Sequence, residues 1–179
     1  MKKSSPPKVK GPSEAEIAKR NAAALARVEV MDDPDGLRNL MANAERMGVE
    51  PVRLAAFRRL AAVQSEGAAG SVENASWQMI HAIEQIKREA AGRTIRLSYL
   101  RRDIEKLGVV PAIDKLVSKP GASERYDELM ARGMPDLTAE AVVLRFPDRF
   151  SPEAVARSQE RLDAGAAAAA GADGDDRAA

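Results

Sequence analysis

Apolar residues recur along this chain every three or four positions and rarely alternate, a pattern that predicts helices and no strands. Ser13 with Glu16 three positions on predicts a capping box, and Ile17, Leu25 and Val28 carry a first helix to about Met31. Asp33 before Pro34 predicts a second N-cap; Leu37, Leu40, Met41, Ala44 and Met47 then keep helical spacing up to Gly48. Pro51 opens a third helix with Leu54, Phe57, Leu60 and Ala61 on one side, ending near Gly67. The longest helix is expected over about Val72 to Ala91, capped by Ser71, with Val72, Met79, Ile83, Ile86 and Ala90 on its buried stripe. After Gly92, residues Leu97, Leu100, Ile104 and Leu107 supply the stripe of the next helix, up to Gly108. Short helices are expected from Pro111, from Ser123 and from Leu137 or Thr138, and Ser151-Pro152-Glu153 starts a last one reaching about Leu162. The sum is an all-α fold, a compact orthogonal array of about nine mostly short helices.

Two stretches echo each other. Glu45-Arg46-Met47-Gly48-Val49-Glu50-Pro51 lies over Glu105-Lys106-Leu107-Gly108-Val109-Val110-Pro111, and Leu40 falls on Leu100. Two similar helix-Gly-helix corners are therefore expected, the trace of a divergent internal duplication. Around them the chain divides into a basic, disordered tail over residues 1–12, a single helical domain over 13–164 with a flexible joint at 67–71, and a low-complexity Ala/Gly/Asp tail over 165–179.

Composition narrows the packing. Hydrophobic residues make up 45% of the 179, but many are alanine and aromatics are only 3%, so closely packed helices must bury Leu, Ile, Val and Met. Lys and Arg total 28 against 27 Asp and Glu, a net charge of +1 that excludes a strong global pull toward nucleic acid or membrane. With no cysteine, disulfides, thiolate metal sites and a cysteine nucleophile are excluded. Lys2 and Lys3 lead into Ser4, Ser5, Pro6 and Pro7 without an apolar run, and no stretch has the roughly 18 apolar residues of a membrane span. The expectation is a cytoplasmic protein with no membrane partner, and the Ala, Arg and Gly content suggests a bacterial source.

Three constellations could carry function. At the Gly48 corner, Ala44, Gly48, Val49, Leu54 and Phe57 fall at offsets suited to a helix-turn-helix, with Ala55, Arg58, Arg59 and Ala62 facing outward; the same pattern also describes a corner with no further role. From Lys87 to Lys106, the cations Lys87, Arg88, Arg93, Arg96, Arg101, Arg102 and Lys106 outnumber Glu89, Asp103 and Glu105, and Thr94, Ser98 and Tyr99 add hydroxyls. That composition suits phosphate contacts. It equally suits a solvated face laced with ion pairs such as Arg102 to Glu105 or Lys106 to Asp103. Third, Trp77, His81, Glu84 and Arg88 share the polar side of the longest helix, either as an exposed anchor for a partner protein or beneath a packed neighbour with His81 and Glu84 as an ordinary pair.

No catalytic site, metal site or cofactor is expected. One histidine beside Glu84 lacks further ligands, there is no phosphate-binding glycine loop or Gly-x-Ser-x-Gly, and Pro34-Asp35, Pro135-Asp136 and Pro147-Asp148 are not followed by Glu-x-Lys. The expected function is nucleic-acid binding, DNA first, in a regulatory or accessory role: Arg93, Arg96, Arg101, Arg102 and Lys106 on phosphates, Arg58 and Arg59 near base edges. The alternative is an adaptor or inhibitor that meets an acidic protein surface through Trp77, His81 and Arg88. Oligomeric state is left open.

Overall fold

The computed structural model describes residues 13–175. The lysine-rich stretch over 1–12 and Asp176 lie outside the described residues. Within them the chain is all-α: α1 (Glu14–Val30), α2 (Pro34–Arg46), α3 (Glu50–Val63), α4 (Val72–Ala91), α5 (Ser98–Leu107), α6 (Val109–Val117), α7 (Glu124–Ala131), α8 (Ala139–Arg145) and α9 (Pro152–Asp175), with single 3-10 turns at Pro135–Leu137 and Pro147–Arg149. No strand occurs among the described residues, and no helix there is long and apolar enough to cross a membrane.

The starts follow local chemistry. The Ser13 hydroxyl accepts the Glu16 N–H while the Glu16 carboxylate accepts the Ser13 N–H, which completes the capping box of α1. Asp33 accepts the N–H groups of Asp35 and Gly36 at the head of α2, and Ser71, Ser123, Thr138 and Ser151 cap α4, α7, α8 and α9 through their hydroxyls. Ser151 is itself held: Asp114 of α6 accepts its N–H at 2.6 Å and its hydroxyl at 3.0 Å.

The chain forms two compact units, one up to Leu60 and one from Ala61 onward, so the division falls inside α3. Across the expected joint over 67–71, the Asn74 side-chain amide reaches the carbonyls of Glu66 and Gly67 at 3.4 and 3.5 Å. In the first unit Val28, Leu37, Met41, Ala44, Val52, Phe57 and Leu60 form the core. In the second, α4 is central, packing on α6, α7 and α8. Its buried arc holds Val72, Ala75, Met79, Ile80, Ala82, Ile83 and Ile86, whereas Ala90, expected on the stripe, is exposed beside the Gly92 stop. Leu107 is likewise 49% exposed, because the chain turns into α6 at the next residue. The buried stripe of α5 is Leu97, Leu100 and Ile104.

Both glycine corners exist, but their backbones differ. At Gly48 (φ +66°) the Val49 N–H reaches the Ala44 carbonyl and the Gly48 N–H that of Glu45, a Schellman closure. Gly133 closes α7 in the same way, with Met134 N–H to Leu129 and Gly133 N–H to Met130. Gly108 instead sits at φ 87°, ψ 166°, ending α5 and starting α6 in one residue, a conformation that essentially only glycine adopts. The sequence echo thus pairs two different turns.

The C-terminal helix runs further than the sequence suggests. α9 continues through Gly165 to Asp175. Arg161 ties it down, pairing with Glu140 at 3.0 Å and donating to the Lys119 carbonyl, while the Tyr126 hydroxyl donates to the Arg161 carbonyl at 2.6 Å.

Candidate nucleic-acid interface

The arginine-rich segment lies in the second unit, and the structure sorts its cations into two groups. Glu84 of α4 does the sorting. Its Oε1 accepts the Leu97 N–H and Arg101 Nε, both at 2.8 Å, and its Oε2 accepts Arg101 Nη2 at 2.8 Å. The bidentate pair pins the start of α5 against the polar side of α4. Arg101 also lies 4.9 Å from the Trp77 ring centroid, and the His81 ring stands 6.0 Å from that of Trp77. Trp77 and His81 are consequently half-buried, as is Arg88, which donates to the Thr94 hydroxyl at 3.2 Å. Arg101 serves α4 and α5, not an outward surface.

Burial pulls the His81 imidazole below its ordinary value of 6.5, and the nearby Arg101 and Arg96 charges push the same way against Glu84 and Glu66. For Glu84, burial pushes upward, but the hydrogen bonds from Arg101 and Leu97, with the charges of Arg101 and His81, hold it below the usual carboxylate value.

The second group faces solvent. Arg93, Arg96, Arg102 and Lys106 are exposed. Neither Arg102 to Glu105 nor Lys106 to Asp103 forms an ion pair; Arg102 lies 5.6 Å from the centroid of Tyr99, and Asp103 is taken by Lys115 at 3.1 Å. Tyr99 is 80% exposed, an unusual position for an aromatic in a chain with so few. Next to it, Lys115, Lys119 and Arg125 from the end of α6, the following loop and α7 line a cavity shared with Tyr99 and Asp103. These three were missed in the sequence because they are scattered among turn residues and carry no periodic signal; only the α5–α6–α7 packing gathers them.

The Gly48 corner looks different. From Val52 to Val63 every residue of α3 is buried or half-buried, Arg58 and Arg59 included. Arg59 Nε donates to the Met31 carbonyl at 2.8 Å, satisfying the end of α1. Arg58 is half-buried and also engaged. Asp114, which stands where Leu54 stands in the first copy, is explained by its hold on Ser151.

Among the described residues no cluster of His, Asp and Glu is arranged to hold a metal ion. No protein-family model matches the sequence, and neither a curated protein nor a solved structure matches it significantly.

Proposed function

We propose that this chain binds nucleic acid through the second unit, with Arg93, Arg96, Arg102 and Lys106 on phosphates and Tyr99 beside them. The observation that carries the reading is the solvent-facing surface of α5 and the loop before it: Arg93 and Arg96 in the loop and Arg102 and Lys106 on α5 are exposed and take no carboxylate among the described residues, and the Tyr99 ring is 80% exposed. A face meant only for solubility would pair Arg102 with Glu105 and Lys106 with Asp103, at spacings that stabilise exposed helices. The α3 arginines take no part in it, and DNA is the first ligand to try. The adaptor alternative has less support, because Trp77, its intended anchor, is half-buried beneath Arg101.

A salt titration tests the reading. Four phosphate contacts give a log–log slope of affinity against salt of about −3 to −4. Changing Arg93, Arg96 and Arg102 together to Ala should make that slope shallower by about 2 to 3. Binding that ignores salt, or no binding to duplex or single strand at low salt, overturns it.

A further inference from the structure

Between α5, α6 and α7 lies a cavity of about 80 Å³, walled by Tyr99, Leu100, Asp103, Lys115, Lys119 and Arg125. Pockets that take a whole small molecule run from about 300 Å³ upward, so this one admits a single group of a larger ligand. Charge decides which group. Three cations face one carboxylate, and that carboxylate, Asp103, is already paired with Lys115. Among the described residues the Lys119 ammonium and the half-buried Arg125 guanidinium have no side-chain or carbonyl partner. An arginine and a lysine that line a small cavity and whose charged groups have no acceptor among the described residues suit an oxyanion, and the arginine fork suits phosphate. Tyr99 walls the same cavity while remaining 80% exposed even with Arg102 over its ring.

We propose that the cavity holds one phosphate of a single-stranded nucleic acid and that the adjoining base stacks on Tyr99. The inference rests on the nucleic-acid reading above and narrows it. A duplex keeps the faces of its bases inside the stack, whereas a single strand offers them to an aromatic ring set beside a basic cavity. The phosphate site supplies position, and the ring supplies affinity with little regard to sequence.

The test uses the full chain with a thymidine-rich DNA oligonucleotide and a blunt duplex of equal length, read by fluorescence anisotropy. The single strand should bind about tenfold tighter than the duplex, and Tyr99→Ala should remove about tenfold from the single strand while leaving the duplex nearly unchanged. Tyr99→Phe, which keeps the ring, should restore the preference. Lys119→Ala with Arg125→Ala should make the single-strand salt slope shallower by about 0.7, the share of one phosphate. Melting curves followed by circular dichroism confirm that these surface variants fold. Equal affinity for strand and duplex, an unchanged affinity in Tyr99→Ala, or an unchanged slope in the double variant overturns this inference while the broader reading survives. Absence of binding to either ligand at low salt overturns both.

Discussion

Glu84 accepts hydrogen bonds from two groups thirteen and seventeen positions away, Leu97 and Arg101, and so decides which arginine of the basic segment belongs to the fold. Replacing it by Gln removes the charge and one acceptor, which should lower stability by about 1–3 kcal/mol in urea unfolding. Beside it, His81 gives a pH dependence with a definite sign. Its folded-state value lies below 6.5, so the unfolded chain takes up the proton first. Its contribution is therefore full above about pH 6.5 and is lost as the pH falls through 6.5 toward the folded value. Glu84 acts lower on the scale: its depressed value means stability present above 4.5 and lost as the pH falls through the folded value. The urea midpoint should accordingly drop as the pH falls from about 7 through 6.5, and His81→Gln should flatten that drop while leaving the decline in stronger acid. A midpoint that rises on acidification would contradict the assignment.

At the scale of elements, α9 gives the sharpest contrast between pattern and packing. In an exposed alanine-rich helix, changing a glycine to alanine stabilises by about 1 kcal/mol. At Gly165 a Cβ would stand 2.5 Å from both the Tyr126 hydroxyl and Met130 Cε. Gly165→Ala should therefore destabilise by about 1–3 kcal/mol, the cost of overpacking, as measured by thermal melting. Stabilisation would mean that α9 does not lie against α7 there. Gly108→Ala forces a side chain into a left-handed extended conformation and should cost about 1–3 kcal/mol. Gly48→Ala, at an ordinary helix-closing φ, should cost less, about 1 kcal/mol.

For the molecule as a whole, a net charge of +1 leaves little long-range steering, so the proposed nucleic-acid binding would rest on the local face of the second unit. Its association rate should then vary weakly with salt while its dissociation rate carries most of the change, which stopped-flow measurements separate. A rate of association that falls steeply with salt would point to a larger basic surface than α5 to α7 provides.

Sequence alone determined the all-α class and nearly every helix start, because caps and prolines act within a few residues: Ser13, Asp33, Ser71, Ser123 and Ser151 each satisfy backbone N–H groups at the heads of their own helices. It also determined the polar line Trp77, His81, Glu84 and Arg88, since helical periodicity places those positions opposite the core arc of α4. Only the tertiary structure decided what lay over that line, and so which arginines remained outward. Charge and spacing made Arg101 and Arg102 equivalent neighbours; Glu84 took one and Tyr99 the other. The same reason hid Lys115, Lys119 and Arg125, which become a site only when three helices meet. It also hid the length of α9: alanine composition is silent on whether a helix packs, and the Gly165 approach to Tyr126 is a contact between residues 39 positions apart.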